Sequence, residues 1–249
     1  MDGVRTHHLP SGRDLFAELA AATRWEEVGP GRRAAVLVRP GADGRVPLVR
    51  TTARYAQPAQ RFRPVHARLA DRIRELAGPG EEFDNALAEV YTRAYTRMGA
   101  HSDLALDLAE GSSIAVFSCY RNGGAGATRT LVLEPKEGQP GERTAVPLVQ
   151  HGVVVFSVEA NRRMRHRILL EPPARAADDE WLGVTYRTSR TRLRHRDGRA
   201  HLPHGELTAA TEEQQREFHR LRRRENAEPD FRYPPLSYTV SASDLLPPV

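Results

Sequence analysis

Short runs of apolar residues, broken by polar turns, make up most of the chain from residue 85 onward. Seven of them have β-type composition and are separated by turns that contain Gly or Pro: NALAEVY, SIAVFSCY, TRTLVLEP, VPLVQ, GVVVFSV, HRILLEP and WLGVTYRTSRTRLR. Because no helical pattern lies between them, they predict a β-sandwich or a jelly roll. Two earlier runs, at 34–40 and 46–55, flank the turn-forming sequence GADG at 41–44 and predict a hairpin.

Three other segments space their apolar residues with the period of a helix. Residues 14–23 come after Ser11 and begin at Asp14, residue types that are typical of a helix N-terminus. Residues 64–78 place four apolar side chains on one helical face, and Gly78 ends this pattern. Residues 208–226 open with a threonine N-cap candidate and acidic residues and close with arginines, as the helix dipole favours. Beyond them, the proline-punctuated tail predicts an extended segment packed on the core.

These patterns predict a mainly β fold with flanking helices and a core that is a β-sandwich or a jelly roll. The N-terminal helices occupy 1–84, the core 85–195, and the C-terminal helix and tail 196–249. No apolar run approaches the roughly 18 residues that a membrane span requires. The N-terminal residues also lack the apolar centre of a secretory signal. We therefore expect a soluble, cytoplasmic protein without a membrane partner.

Composition narrows the possible partners and metal sites. A single cysteine, Cys119, excludes an intrachain disulfide framework and a multi-cysteine zinc site. The net charge of +5 makes nucleic acid a possible partner. However, Lys136 is the single lysine among 37 basic residues, and the arginines are scattered along the chain. This distribution favours solvated surface charge over a dedicated nucleic-acid face.

Two side chains with metal-ligand chemistry lie two positions apart in the sequence MGAHSDLALD. His101 and Asp103 point to the same side if this segment is extended. His166, 65 residues further along, follows a strongly apolar strand and a polar turn, and antiparallel sheets easily bridge such a separation. Two imidazoles and one carboxylate on one face of a metal form the ligand set of non-haem Fe(II) oxygenases. The alternative for an isolated H-x-D is a polar turn or a hydrogen-bonded core histidine.

The run at 181–190 adds a cation to this set. Alternation along WLGVTYRTSR puts Trp181, Gly183, Thr185 and Arg187 on one face. If that face lines the interior, the Arg187 guanidinium is buried beside Thr185 and needs an anionic partner. A carboxylate of 2-oxoglutarate, the second substrate of such oxygenases, suits bidentate pairing with it. The alternative for Arg187 is an ordinary surface or salt-bridged arginine.

The order of these segments resembles the catalytic core of AlkB-like Fe(II)/2-oxoglutarate-dependent dioxygenases. The resemblance implies a double-stranded β-helix, or jelly-roll, for the core at 85–195 and a substrate-lid region within 1–84. The resemblance covers about residues 46–195 and runs through NALAEVYTRAYTRMGAHSD, SIAVFSCY, RTLVLEP, GVVVFSVEANRRMRH and WLGVTYR. It implies that Thr185 and Arg187 match the end of the family's terminal motif R-x-N-x-T-x-R and bind the 2-oxoglutarate cofactor. It also implies three catalytic iron ligands, namely His101, Asp103 and His166.

Further positions follow from the same resemblance. The family's cofactor-contacting tyrosine maps to Tyr91, with Tyr95 as a competing choice. Arg129 takes a place where many relatives position the substrate or the lid, and a surface ion pair is the alternative for it. His151 is the nearest rival to His166 as the distal iron ligand.

Four positions bear on how far the family's properties carry over. Trp181 and Gly183 replace the first arginine and the asparagine of the terminal motif, so Arg187 is expected to carry the cofactor alone. Ala105 replaces the acidic residue that reads the damaged base in the nucleic-acid repair members. Asp103 is retained, whereas related halogenases have Gly or Ala there, so oxygenation is expected rather than halogenation.

The resemblance thus implies an oxygenase that uses Fe(II), 2-oxoglutarate and O₂ to hydroxylate a C–H bond, with release of succinate and CO₂. Because the base reader is missing, the expected substrate is a small molecule or a nucleotide-like metabolite. One alternative is a jelly-roll binding protein without catalysis, whose basic helix contacts an anionic partner. The other is an AlkB-type demethylase of alkylated nucleic acid, with an extruded base held by Tyr55, Phe62, Arg54, Arg61 and Arg63.

Overall fold

The computed structural model describes residues 3–78, 82–123, 129–170 and 180–249. No helix within these ranges is both long enough and apolar enough to cross a membrane. The described chain is mainly β, with a 3₁₀ helix at Ala242–Leu245 and four α-helices: α1 (Leu15–Ala22), α2 (Pro64–Ala77), α3 (Val158–Arg163) and α4 (Glu212–Ala227).

The strands of the described chain are numbered in sequence order. They are β1 (Val4–His8), β2 (Glu26–Gly29), β3 (Arg32–Val38), β4 (Val46–Leu48), β5 (Gln60–Arg61), β6 (Asn85–Tyr91), β7 (Ser113–Tyr120), β8 (Arg129–Pro135), β9 (Thr144–Pro147), β10 (Gly152–Ser157), β11 (Met164–Leu170), β12 (Trp181–Arg187), β13 (Thr191–Arg196), β14 (Arg199–Leu202), β15 (Gly205–Glu206), β16 (Thr208–Ala209) and β17 (Tyr238–Thr239). Paired strands run antiparallel, except that β3 and β5 are parallel, as are β16 and β17.

A large sheet with the strand order β1-β10-β7-β12-β6-β3-β2 forms the centre of the molecule. Its two faces belong to different cores, because alternate residues of a strand point to opposite sides. On β12, the side chains of Leu182, Val184 and Tyr186 pack with helices α1 and α2 on one face. Trp181 points to the other face and packs against the smaller sheet β11-β8-β9. The molecule is thus layered as helices, large sheet and small sheet.

The predicted β-runs from residue 85 onward all contain strands, and the helices at 14–23 and 64–78 are confirmed as α1 and α2. Two details differ. The predicted absence of helices between the runs is wrong, because α3 lies between β10 and β11. The C-terminal helix begins at Glu212 rather than at residue 208, because the Thr211 side chain accepts a hydrogen bond from the backbone of Gln214 and caps the helix there.

The predicted hairpin between 34–40 and 46–55 is wrong in its pairing. The chain does turn at 41–44, where the Gly44 backbone donates to the carbonyl of Gly41. However, β3 pairs with β2 and β6, whereas β4 pairs with β13 in a separate sheet of order β15-β14-β13-β4. Strand β4 also ends at Leu48, and the residues that follow it, up to Tyr55, border the space between the large sheet and the small sheet β11-β8-β9.

Candidate metal centre

Two segments distant in sequence meet through a short backbone ladder. The His101 N–H donates to the His166 carbonyl at 2.9 Å, and the His166 N–H donates to the His101 carbonyl at 2.6 Å. His166 is in β11, and His101 belongs to the segment 99–105, which we call the ligand loop. Because this is a bridge between directly paired residues, both side chains project to the same side. Their imidazole centroids are 4.6 Å apart.

Asp103 completes the cluster. Its Oδ1 atom is 3.5 Å from His166 Nε2 and 3.8 Å from His101 Nε2. One donor atom from each of the three residues lies within 4.8 Å of the other two, and the part of the chain that the structure describes contains one such group. The structure therefore brings together the three residues that the sequence pattern predicts as ligands.

The protonation states of the cluster suit a cation. The ring Nδ1 of His101 lies 2.8 Å from the carbonyl oxygen of Gly99, which assigns the proton to Nδ1 and leaves the Nε2 lone pair towards Asp103. Burial and the neighbouring His166 lower the pKa of His101 to about 3, so this imidazole is neutral near pH 7. Burial alone would raise the pKa of Asp103, but Arg187 and the two histidines hold it well below its usual value.

Arg187 of β12 fixes the orientation of the Asp103 carboxylate. Its Nε and Nη2 atoms lie 2.7 and 2.6 Å from Asp103 Oδ2. This leaves Oδ1 as the oxygen that faces the imidazoles. The side chains of both residues are about 8% exposed, so the ion pair is almost fully withdrawn from water. The expected inward direction of Arg187 is thus observed, and in this structure its partner is Asp103.

Asn161 of α3 holds the main chain of the ligand loop. Its side-chain oxygen accepts from the Asp103 N–H at 2.7 Å, and its amide nitrogen donates to the Asp103 carbonyl at 2.8 Å. Asn161 is 1% exposed. The sequence analysis assigned no role to this residue. The sequence does contain one hint of its role: Asn161 is the single amide in the short polar segment that joins two apolar strands and ends just before His166.

Helix α4 supports the ligand loop from the other side. Glu225 accepts from the Ala105 N–H at 2.8 Å and from the Tyr233 hydroxyl at 2.8 Å, and it is ion-paired with Arg222. Arg222 also donates to the carbonyl of Ser102. Sequence reasoning missed this pair, although a signal existed. Both residues fall on the apolar face of the predicted helix, at positions shared with Phe218 and Leu221.

The cluster lies in a cavity of about 550 Å³ between the large and the small sheet. Apolar walls come from both sheets: Val116, Leu131, Phe156 and Ile168. The rim is formed by residues 49–55, by the ligand loop and by one side of α4, where His219 and Arg223 are exposed. Helices α1 and α2 pack on the opposite face of the large sheet and do not belong to the described lining. Within the N-terminal region 1–84, the residues that line the cavity are Arg32, residues 49–53 and Tyr55.

Of the other residues implied by the resemblance, Thr185 and Tyr95 line the cavity. Tyr91 lies behind this lining and is fully buried, with ring centroids 4.5 Å from Tyr95 and 4.8 Å from Trp181. The structure thus places Tyr95, rather than Tyr91, at the cavity wall. Trp181 folds over Gly183, since a Cβ on Gly183 would lie 2.0 Å from Cη2 of the indole. A side chain at position 183 is therefore excluded by its neighbour two residues away.

Other candidates lie apart from the cluster. Arg129 is 1% exposed and donates to the carbonyls of Tyr95 and Thr92 at 2.7 Å, so it anchors the segment after β6 instead of forming a surface ion pair. His151 stacks on Phe117, which belongs to the core on the helix side of the large sheet. The His151 ring is thus on the opposite face from the metal cluster.

The residues proposed for holding a nucleobase lie in different parts of the fold. Tyr55 lines the cavity, whereas Phe62 packs edge-on against Tyr186 in the core beneath the helices. Arg54 donates to Gln215 of α4. Ala105 is buried in the ligand loop under Glu225, so it presents no polar group to the cavity.

Comparisons with known proteins give no independent identification. No family model matches this chain, and no curated protein matches it at a significant level.

Proposed function

We propose that this protein is an Fe(II)- and 2-oxoglutarate-dependent oxygenase with a jelly-roll core, which hydroxylates a C–H bond of a small molecule or nucleotide-like metabolite. One observation carries the proposal. Two imidazoles and one ionised carboxylate, with Arg187 held on the outer carboxylate oxygen, meet in a cavity whose walls carry apolar residues from both sheets. The resemblance of the sequence to AlkB-like dioxygenases supports the same assignment.

The donor set fits Fe(II) by its chemistry. Neutral imidazole nitrogen and carboxylate oxygen suit a divalent first-row metal, and three protein ligands on one face leave further coordination positions for small ligands. His101, Asp103 and His166 would hold the metal. When bound, Fe(II) together with O₂ and 2-oxoglutarate supplies the oxidation of R–H to R–OH, with succinate and CO₂ as the other products.

The chain's own residues prepare the site for this chemistry. Arg187 and Asn161 fix the side chain and the main chain of Asp103, so the carboxylate does not have to reorganise when it coordinates. The Gly99 carbonyl keeps the Nε2 atom of His101 unprotonated. Phe156 and Ile168, with the other apolar wall residues, restrict the access of water to the reacting C–H bond.

The charge balance of the cavity supports a dianionic cosubstrate. Apart from the exposed Arg223 at the rim, the arginines of the lining are ion-paired, and each pair is neutral by itself: Arg187 with Asp103, Arg32 with Glu89, Arg50 with Asp107 and Arg222 with Glu225. A divalent metal adds two positive charges to this buried environment. The dicarboxylate 2-oxoglutarate restores neutrality, because it carries two negative charges near pH 7.

The size of the cavity favours a small prime substrate. A volume of about 550 Å³ is within the roughly 300–1,000 Å³ that ligand pockets usually have.

One feature of the cavity rim favours a nucleic acid instead. His219 and Arg223 are exposed at the rim, where they could contact phosphates next to an extruded base.

The test is succinate formation by the Fe(II)-loaded protein in the presence of O₂ and 2-oxoglutarate. Succinate should form slowly without a prime substrate and faster with a correct one. His101→Ala and Asp103→Ala should each lower the rate at least about 100-fold with unchanged far-UV circular dichroism. His151→Ala, the matched control for the rival histidine, should retain it. Equal rates in wild type and His101→Ala would contradict the proposal.

A second arm of the same assay identifies the substrate class. Free nucleotides and small metabolites are compared with methylated single-stranded oligonucleotides at equal concentration. We expect stimulation by the small molecules. Stimulation by oligonucleotides alone would favour the demethylase, and Arg223→Ser should then weaken oligonucleotide binding in a salt-dependent manner.

A further inference from the structure

A second buried ion pair lies in the cavity, between Arg32 of β3 and Glu89 of β6. The Arg32 Nε and Nη2 atoms lie 2.8 and 2.5 Å from the same oxygen, Glu89 Oε1. The Arg32 side chain is 20% exposed, and its Nη1 atom makes no hydrogen bond within the described chain. Glu89 thus occupies one edge of the guanidinium and leaves the Nη1–Nη2 edge available.

Packing holds this guanidinium in place. The Tyr95 ring covers it, with the Arg32 Cζ atom 5.8 Å from the ring centroid. Gly31 allows this arrangement in two ways. Its φ of +69° suits glycine, and a Cβ there would lie 2.8 Å from the Tyr95 backbone nitrogen. The turn before β3 can therefore approach the segment that carries Tyr95.

The hydroxyl of Tyr55 is a further unused group at this end of the cavity. Tyr55 lines the cavity and is 3% exposed, and its hydroxyl has no hydrogen-bond partner in the described residues. Its pKa is raised by burial and by Glu89, while Arg32 and Arg187 act in the opposite direction, so the hydroxyl lies in the field of both ion pairs. A buried hydroxyl without a partner is costly, which points to a ligand atom that completes it.

Trp181 takes the place where the resemblance expects a cationic side chain. Arg32, Tyr91 and Trp181 are paired residues on adjacent strands β3, β6 and β12, so they share one face of the large sheet. At the first position of the terminal motif, the Trp181 indole covers Gly183. Arg32 stands two strands away in the same row and faces the same cavity.

We propose that Arg32 and Tyr55 bind the distal carboxylate of 2-oxoglutarate. The proposal rests on the proposed function and changes the expectation that Arg187 carries the cofactor alone. The free edge of Arg32 presents two parallel N–H donors, which match the two oxygens of a carboxylate, and the Tyr55 hydroxyl adds a third donor. Glu89 orients the guanidinium from its other edge.

The experiment compares two ligands that differ only in this carboxylate. 2-Oxoglutarate and 2-oxopentanoate have the same carbon chain, but 2-oxopentanoate lacks the distal carboxylate. Binding of each to the protein loaded with Zn(II) is measured by calorimetry. Metal loading of every variant is measured separately, so that a lost metal is not mistaken for a lost ligand contact. We expect the wild type to bind 2-oxoglutarate at least about 30-fold more tightly.

Arg32→Met should lower the affinity for 2-oxoglutarate by about 30- to 100-fold and leave the affinity for 2-oxopentanoate within about 3-fold. Arg33→Met is the matched control, because Arg33 is on the same strand and pairs with Glu180 instead. It should change neither affinity.

Two further variants complete the set. Arg32→Met leaves the buried Glu89 carboxylate without its partner, so the double variant Arg32→Met/Glu89→Gln is included, together with the single variant Tyr55→Phe. Tyr55→Phe removes only the unpartnered hydroxyl and should weaken 2-oxoglutarate by about 3- to 10-fold.

The measurements distinguish a wrong cosubstrate from a wrong position of its carboxylate anchor. If the metal-loaded wild type binds neither ligand, the cosubstrate assigned under the proposed function is wrong, and the role of Arg32 falls with it. If the wild type binds 2-oxoglutarate but the variants at 32 and 55 weaken both ligands equally, or neither, the proposed function stands and the anchor is wrong.

Discussion

At the residue scale, the two oxygens of Asp103 have different partners. Oδ2 is held by the Arg187 guanidinium, and Oδ1 faces the two imidazoles. An aspartate held in this way offers one defined oxygen to a cation, because rotation of the carboxylate would break a buried ion pair. The cluster is therefore ordered by contacts that no metal has to supply.

Asn161 offers a direct test of this order. Asn161→Ala removes both hydrogen bonds to the Asp103 main chain and touches none of the three ligand side chains. We expect the affinity for Zn(II) or Fe(II) to fall by about 10- to 100-fold, as is usual when the support of a metal ligand is lost. Competition with a chromophoric chelator measures it. Glu159→Ala, an exposed position on the same helix, should leave the affinity unchanged, and an equal loss in both variants would contradict the idea.

At the element scale, helix α2 begins with an unusual cap. The backbone N–H of Arg63 donates to His66 Nδ1 at 3.1 Å, and His66 Nε2 lies 3.1 Å from the hydroxyl of Thr23. The Nδ1 atom acts as an acceptor, so the ring has to be neutral in the folded protein. Burial and the neighbouring Arg63 lower the pKa of His66 to about 4.

This cap predicts a pH-dependent stability. Because the folded pKa is depressed from the model-peptide value of about 6.5, the unfolded chain binds more protons between pH 4 and 6.5, and stability is lost as the pH falls through this window. The contribution of His66 between pH 7 and 5 should be about 1–2 kcal/mol. His66→Gln keeps an acceptor at the third helical position and does not titrate. Urea unfolding at both pH values should show a smaller loss for the variant, and an identical loss would exclude His66 as the cause.

Elements that depend on neighbouring residues could be predicted from the sequence, whereas pairings between distant segments could not. The alternation along 181–187 was sufficient to place Thr185 and Arg187 on the cavity side. The turn at 41–44 was also local, but the partner of β4 is β13, nearly 150 residues further along, and no short-range pattern specifies that pairing. Arg222 and Glu225 were missed for a related reason. They share the apolar side of the helix, but their charges suggest exposure, and the groups that satisfy them when buried, on the ligand loop and at Tyr233, lie outside the helix.

At the scale of the whole molecule, the site joins several parts of the fold. The ligand loop bridges to β11 in the small sheet, Asp103 pairs with Arg187 in the large sheet, and α4 covers the loop. Because His166 belongs to the small sheet and Asp103 is ion-paired with Arg187 of the large sheet, a cation bound here would link the ligand loop to β11 and, through that ion pair, to the large sheet. The unfolded chain separates His101 from His166 by 65 residues and offers no preformed site.

Metal binding should therefore stabilise the folded protein. At a free Zn(II) concentration of 100 times Kd, the gain is about 2.7 kcal/mol, and for a chain of this length each kcal/mol raises Tm by roughly 2–4 °C. We expect Tm to rise by roughly 5–10 °C on adding Zn(II) and to return on adding EDTA, as measured by differential scanning calorimetry. His166→Ala should lose this shift, while His204→Ala, at an exposed turn, should keep it. A full shift in His166→Ala would mean that the stabilising cation binds elsewhere and that the two sheets are not linked through this cluster.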